Sequence, residues 1–213
     1  RIYNAVDRAG LSASASGVEV VRPDDAAPRV GCIGQIALRK GQDVFLKAAA
    51  LVPDVHYFVV GERFSAKEES RAYEEELHAL ASVPALTGRV GFTGYLNHVP
   101  AFLRTLDLVV VPSRQEPLSR VMLEALAMGV PVVATDVGGA SEIIEHGTSG
   151  WLTPPDNPEA MAEAISEILA SRELRDRFRS EGFKRAEAFS PQKQADALMT
   201  LYRDVLRKGD LGP

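Results

Sequence analysis

The clearest indication of the fold class of this chain lies in residues 108–135, which read LVVVPSRQEPLSRVMLEALAMGVPVVAT. The run opens with four apolar residues, from Leu108 to Val111, that predict a buried strand, and Pro112 ends it. Apolar residues then recur at helical spacing from about Arg120 to Met128, and residues 132–135 predict a second strand. Buried strands joined by a helix are typical of a parallel sheet that helices cover on both faces.

The same alternation of short strands and amphipathic helices extends on both sides of this run. Before it, strands are predicted at 29–33, 57–60 and 90–93, and helices near 42–51, 66–82 and 99–105. After it, a helix is predicted near 141–145, a short strand at 151–152, and almost only helix from Pro158 onward. The sequence therefore predicts an α/β fold, a Rossmann-like doubly wound parallel sheet of about six strands with a helical C-terminal flank. Residues 9–27, rich in Ser, Ala, Gly and Asp, are predicted to be a surface loop.

Composition excludes several classes of protein. Hydrophobic residues make up 46% of the 213 and charged residues 25%, which is the balance of a soluble globular domain and not of a disordered or membrane protein. The net charge of −5, with no basic run, argues against a nucleic-acid partner. The single cysteine, Cys32, cannot form a disulfide within the chain and is expected to be a core residue in an intracellular protein.

Common nucleotide and metal motifs are absent from the sequence. Neither G-x-G-x-x-G nor G-x-x-x-x-G-K-[ST] occurs, so a dehydrogenase-type dinucleotide site and a P-loop are not supported. The four histidines have no metal-ligand spacing, and no D-x-D pair is present. We therefore expect no metal and no cofactor.

The loop and helix after residue 111 carry the strongest sign of a ligand site. Glu116 and Glu124 are eight residues apart, about two helical turns, which predicts carboxylates on one side of the helix. Between them, the first N–H groups of the helix, from Leu118 to Val121, form a ready anion site. Amide donors beside two carboxylates suit a ligand that carries both phosphates and sugar hydroxyls.

The run from Glu116 to Gly139 resembles the E-x7-E region of the retaining glycosyltransferases of the GT-B fold, family four or group 1. Other segments resemble further motifs of that family in order and spacing: Ile2–Asp7 the I-P-N-G-V-D segment, Gly34–Gly41 the G-R-L-x-x-x-K-G loop, Val90–Tyr95 the v-x-F-x-G-y/f segment, and Gly139–Gly150 the G-x-x-E-x-x-x-x-G-x-x-G segment. Together they cover residues 2 to about 155.

The resemblance implies a domain organisation. The I-P-N-G-V-D segment opens the second half of such enzymes, so residues 1–213 are expected to be a single nucleotide-sugar-binding domain without the N-terminal acceptor domain. Residues 1–28 would be a hinge remnant and loop, 29–155 the α/β core and 156–213 the helical flank. The start at Arg1 without a methionine fits a cut near the hinge. The full enzyme is expected to be cytoplasmic, with any membrane association arising through the missing domain.

The resemblance also implies residue roles. Glu124 would accept hydrogen bonds from the ribose hydroxyls, Glu116 would contact the donor sugar, and Lys40 would neutralise the diphosphate as it departs. Glu116 and Lys40 are thus the candidate catalytic residues. The whole candidate donor site comprises Gly34, Gln35, Lys40, Tyr95, Leu96, Glu116, Pro117, Leu118, Ser119, Arg120, Val121 and Glu124, with Tyr95 and Leu96 near the base.

The sequence departs from the family at a few of these positions. The loop Arg is Gln35 here, which removes one cation, and Arg39 or Arg120 are candidates to replace it. The Phe and Gly that often follow E-P are Leu118 and Ser119, which predicts a differently shaped sugar pocket. Ala5 stands where Gly is usual in the hinge.

The implied activity is transfer of a hexose-type sugar, with retention and without a metal, from a UDP- or GDP-linked donor to an acceptor hydroxyl on a sugar, lipid or small molecule held by the missing domain. This chain alone is expected to bind nucleotide but not to catalyse. Two alternatives remain open: a nucleotide-sugar epimerase of the GT-B fold, and a non-catalytic nucleotide-sugar-binding or scaffolding domain.

Overall fold

The computed structural model describes residues 2–16, 18 and 27–209. The strands are β1 (Arg29–Ile33), β2 (His56–Val60), β3 (Val90–Gly94), β4 (Leu108–Val111), β5 (Val132–Thr135) and β6 (Trp151–Thr153). The helices are α1 (Arg8–Ser16), α2 (Gln42–Leu51), α3 (Glu68–Ala81), α4 (Val99–Leu103), α5 (Arg120–Ala127), α6 (Ala140–Ile143), α7 (Pro158–Ala170), α8 (Arg172–Ala188) and α9 (Pro191–Gly209). Short 3₁₀ turns occupy Leu38–Lys40 and Pro84–Leu86.

Within the described residues the strands form one six-stranded sheet in the order β3-β2-β1-β4-β5-β6. Every pairing is parallel, from Tyr57 beside Val90 at one side to Val133 beside Trp151 at the other. Each crossover between neighbouring strands contains a helix, as parallel pairing requires. The predicted Rossmann-like α/β sheet with a helical flank is confirmed.

Two apolar clusters, one on each face, hold the sheet between helices. Leu108 and Val110 of β4 belong to the cluster built with α2, α3 and α7, whereas Val109 and Val111 belong to the cluster built with α4, α5 and α6. Successive side chains of a strand point to opposite faces, and both faces are buried here, so each central strand is apolar throughout. This is why the strands could be found as continuous apolar runs.

The prediction of a surface loop over 9–27 is wrong for its first part. Residues 8–16 form α1, whose Ala15 is buried and whose Leu11 packs against the α5 side of the sheet. Asp7 begins the helix, because its Oδ1 accepts a hydrogen bond from the Gly10 amide at 3.1 Å. The Ser-, Ala- and Gly-rich composition does not indicate this helix, because tertiary packing and the Asp7 cap stabilise it. Residues 17 and 19–26 of the predicted loop lie outside the described residues.

The predicted helical flank divides into three helices that pack unequally. Met161, Ile165 and Ile168 of α7 are buried against the sheet, as the apolar spacing indicates. In α9, by contrast, Tyr202 and Val205 are more than half exposed. Among the residues described, none of the helices is long and apolar enough to cross a bilayer.

Candidate functional site

The candidate site lies where the order of the strands reverses. β1 and β4 are neighbours in the sheet but lead to crossovers in opposite directions, which leaves a crevice at their carboxyl ends. The loop after β1 carries Gly34, Gln35 and Lys40, and the loop after β4 carries Glu116. The fold thus brings together two sequence segments about 76 residues apart.

The turn Leu38–Lys40 places Lys40 at the crevice. Gly41 ends this turn with φ of 68°, and a Cβ atom there would lie 2.0 Å from the carbonyl oxygen of Pro112 at the end of β4. Only glycine therefore lets the turn lie this close to β4. The Lys40 side chain is about one-fifth exposed, so most of it is packed and part of it remains open to solvent.

Glu116 meets Lys40 inside the crevice. Its Oε2 accepts a hydrogen bond from Lys40 Nζ and a longer one, 3.4 Å, from Ser113 Oγ. The Glu116 side chain is 9% exposed, and a carboxylate this far from water needs such a partner. Glu116 lies in the loop just before α5, which begins at Arg120, as the sequence predicts. Only Glu124 is helical.

The start of α5 offers unused backbone donors, as predicted. Ser119 is the N-cap residue, and its Oγ accepts from the Met122 amide at 3.3 Å. No hydrogen bond in the described part of the chain uses the N–H groups of Leu118, Ser119, Arg120 and Val121. Pro117 has none to give. These amides, together with the positive end of the helix dipole, are a candidate anion site, and they follow directly on Glu116, the partner of Lys40.

Glu124 lies one turn into α5 and is largely buried. Burial raises the pKa of its carboxyl, and Arg120, whose Nη2 is 3.3 Å from Glu124 Oε1, works in the opposite direction. Arg120 itself is 76% exposed, so its hold on the carboxylate is weak. A poorly solvated carboxylate with one loose partner gains from accepting hydroxyl donors.

An apolar cavity of about 140 Å³ opens beside the crevice, between the loops that follow β1, β2 and β3. Gly34, Gln35, Tyr95 and Leu96 line it, so the structure brings together these four residues of the candidate site. Phe64, which the sequence did not indicate, lines the same cavity, and Phe64 and Tyr95 are both more than 60% exposed. Two exposed aromatic rings on adjacent loops suit a planar ligand.

Two further polar residues were missed by sequence reasoning. Asp43, in the first turn of α2, and Arg114, just past β4, form a two-point ion pair with N–O distances of 2.7 and 2.8 Å. Their positions beside Lys40 and Glu116 in the sequence are a signal that could have found them.

Gln35, which stands in place of the family's Arg, has a cation nearby all the same. Nη2 of Arg39 donates to Gln35 Oε1 at 3.4 Å, so the Arg39 guanidinium supplies a positive charge at this loop. Arg120, the other candidate to replace the lost cation, instead contacts Glu124. Within residues 2–16, 18 and 27–209 there is no group of three or more His, Cys, Asp and Glu side chains that could hold a metal ion.

The chain has relatives among known proteins. The family profile described as Glycosyl transferases group 1 matches residues 19–185. The chain belongs to this family. Alpha-D-kanosaminyltransferase of Streptomyces kanamyceticus is 32% identical over 188 residues, which are 85% of this chain and 47% of that protein. The chain thus spans about half the length of the curated relatives it matches.

Solved structures share the fold. HepE of Anabaena, in complex with UDP-glucose, superposes with a TM-score of 0.82 at 29% identity, over 93% of this chain and 57% of that one. The C-terminal domain of the group 1 glycosyl transferase LpcC from Francisella tularensis superposes with a TM-score of 0.70 at 25% identity, over 88% of this chain and 94% of that one. The family, the group 1 membership and the Rossmann-like half of a GT-B fold are confirmed.

Proposed function

We propose that this chain binds a nucleoside diphosphate sugar at the carboxyl ends of β1 and β4, as the donor domain of a retaining glycosyltransferase that needs no metal. The observation that carries the proposal is the Lys40–Glu116 pair beside the unused amides of residues 118–121. A cation and several N–H donors beside a carboxylate match a ligand in which an anionic diphosphate is joined to a hydroxyl-rich sugar.

In this proposal the diphosphate binds the Lys40 ammonium and the amides at the start of α5. Charge grows on the phosphate oxygen as the glycosidic bond breaks, and donors already fixed at that point stabilise it. The local cations and amides take the role that a metal ion has in other phosphate sites. Arg39, beside Gln35, supplies a second positive charge for the same group.

The two parts of the nucleoside, its ribose and its base, would contact different residues. Glu124 would accept hydrogen bonds from the ribose hydroxyls, which compensates the burial that raises the pKa of its carboxyl. The base would enter the apolar cavity lined by Tyr95, Leu96 and Phe64. HepE of Anabaena was solved with UDP and with UDP-glucose, which supports a nucleotide of this class.

Glu116 would orient a hydroxyl of the donor sugar and would not attack it. Its carboxylate already accepts hydrogen bonds from Lys40 and Ser113, and these bonds fix its position and lower its reactivity as a nucleophile. The acceptor oxygen would form its bond to the anomeric carbon on the face from which the diphosphate leaves. The diphosphate takes the electron pair of the broken bond, and the acceptor proton passes to a phosphate oxygen. The configuration of the sugar is thereby retained.

Transfer itself needs the acceptor, and this chain spans about half of the relatives' length. We therefore propose that the hexose-type sugar goes to an acceptor hydroxyl bound by a further domain, and that the 213 residues alone bind donor without turnover. Whether a longer protein would transfer, epimerise or only bind the donor is decided by a product assay on that protein.

Titration calorimetry of the 213-residue chain tests the binding proposal. UDP, GDP and UDP-glucose are titrated separately in buffer with EDTA, so that no divalent metal assists. We expect saturable binding of at least one nucleotide at one site, and loss of most of that affinity in Lys40→Met. Lys67→Met, which removes an ammonium that is 77% exposed at the start of α3, is the control. The absence of binding by all three ligands would refute the proposal.

A further inference from the structure

Arg114 stands at the centre of a polar network that joins the two halves of the crevice. Its Nη1 donates to Asp43 Oδ1 at 2.7 Å and to the carbonyl oxygen of Leu38 at 2.8 Å, and its Nη2 donates to Asp43 Oδ2 at 2.8 Å. Its Nε lies 2.7 Å from Oδ1 of Asp156, in the loop after β6. One guanidinium therefore fixes the start of α2, the turn before it and a third loop.

The backbone of the same segment holds the turn that carries Lys40. The amides of Arg114 and Gln115 both donate to the carbonyl oxygen of Arg39, at 2.8 and 3.2 Å. With the side-chain bond to Leu38, three donors of residues 114 and 115 act on two consecutive carbonyls of the turn Leu38–Lys40. The next residue in each segment is then a member of the ion pair, Lys40 on one side and Glu116 on the other.

Asp43 anchors this network, because its carboxylate is buried and held by several partners. Its carboxylate is 4% exposed and, besides Arg114, accepts from the Tyr73 hydroxyl at 2.9 Å and from Lys47 Nζ at 3.1 Å. Burial works to raise the pKa of Asp43, but hydrogen bonds from Arg114, Tyr73 and Lys47 outweigh it and hold that pKa well below its ordinary range. The carboxylate is therefore ionised at neutral pH and maintains its ion pair with the Arg114 guanidinium.

We propose that Arg114 and Asp43 are positioning residues that hold the Lys40 ammonium in the orientation in which it meets a diphosphate, a role that rests on the proposed function. The charged atoms of both residues are engaged in the contacts described above, those of Arg114 with Asp43, Leu38 and Asp156, and those of Asp43 with Arg114, Tyr73 and Lys47. An arginine is required, since its planar fork reaches a carboxylate and a carbonyl at once, which a lysine ammonium on a flexible stem does not reproduce.

A double-mutant cycle in the ligand-free chain tests the positioning directly. The variants are Arg114→Lys, Lys40→Met and the pair, compared by the urea midpoint of unfolding. Lys40→Met leaves Glu116 buried without its partner, so its midpoint shift should be large when Arg114 holds the pair together. In the Arg114→Lys background the pair is already loosened and the shift should fall to less than half. Equal shifts in both backgrounds would overturn the proposal.

Arg89→Lys is the matched control. Arg89 also fixes backbone carbonyls through its guanidinium, with Nη1 2.9 Å from Val52 O and 3.2 Å from Val55 O. It lies just before β3, at the amino ends of the strands, whereas the crevice lies at their carboxyl ends. Its substitution should lower the midpoint without changing the effect of Lys40→Met. If Arg114→Lys fails to fold, the same cycle with Asp43→Asn, which keeps the shape of the side chain, decides the question in the same way.

The cycle repeated on UDP affinity links the network to the ligand. Arg114→Lys should weaken UDP binding about tenfold in the Lys40 protein, the size of one charge-assisted hydrogen bond, and less than about twofold in Lys40→Met. Equal losses in both backgrounds would contradict a role through Lys40. If the unsubstituted chain binds no UDP or GDP, the proposed function fails, and the urea cycle still decides whether Arg114 positions Lys40.

Discussion

Lys40 Nζ donates to the carboxylate of Glu116, although 76 residues of sequence separate them. The contact joins the loop after β1 to the loop after β4 at the point where the order of the strands reverses. In the proposed function, this ion pair supplies a cation for phosphate and an oriented carboxylate for sugar hydroxyls. The proposed donor site depends on this pair and on the free amides beside it.

Removal of the cation should weaken nucleotide binding. Lys40→Met is expected to reduce UDP affinity by at least about tenfold, because one charge-assisted contact to phosphate is lost and Glu116 is left unpaired. Calorimetry measures the change. Unaltered affinity, with Lys67→Met giving the same value, would show that the phosphate binds elsewhere.

The ribose assignment of Glu124 predicts a discrimination between nucleotides. The unsubstituted chain should bind UDP more tightly than its 2′,3′-dideoxy analogue, by a factor of about ten. In Glu124→Ala both ligands should bind about equally, because the acceptor of the hydroxyl donors is gone. A preference for UDP that survives in Glu124→Ala would count against the assignment.

The conformation of the Glu116 loop should be sensitive to a methyl group at Gly138. This glycine has φ of 56°, and a Cβ atom there would lie 2.0 Å from the carbonyl oxygen of Glu116. Gly138→Ala should therefore cost more than about 2 kcal/mol of unfolding free energy and should weaken UDP binding. Gly147→Ala is the matched control, since Gly147 also has a positive φ, 74°, but nothing within 4 Å of the added atom. Its cost should be near 1 kcal/mol, without an effect on UDP.

The Asp43 carboxylate predicts acid sensitivity. Its pKa is lower in the folded than in the unfolded chain, so the stability it contributes is present above the ordinary pKa of Asp, about 3.9, and is lost as the pH falls through the folded value. Asp43→Asn should cost about 3 kcal/mol at pH 7, and that cost should shrink progressively below about pH 4. Urea unfolding at a series of pH values measures it, with the exposed Asp204→Asn as control. A cost that is the same at pH 7 and pH 2.5 would contradict the prediction.

Most of the fold could be predicted because its strands are buried on both sides. Runs such as Leu108–Val111 and Val132–Thr135 need no tertiary information, and the structure places both where the sequence does. The helix α1 could not be predicted in this way, because Leu11 and Ala15 are too few to form a visible apolar stripe. Its contacts with the neighbouring helices and the Asp7 cap hold it.

The sequence indicates which residues form the candidate site but not which of them contact one another. The motifs located Lys40, Glu116 and the amides of α5, since those positions follow strands at one edge of the sheet. That Glu116 bonds to Lys40, and that Arg114 reaches back to Asp43, depends on how two distant loops meet. Spacing along the chain contains no information on this meeting, so these contacts appear only in three dimensions.

A crystal structure of this chain with UDP is the most direct test of the proposed donor site. We expect phosphate oxygens within hydrogen-bond distance of Lys40 Nζ and of the amides at the start of α5, ribose hydroxyls on Glu124, and the base in the cavity beside Tyr95. A nucleotide bound at the amino ends of the strands, or one whose phosphates contact neither Lys40 nor those amides, would contradict the proposed donor site.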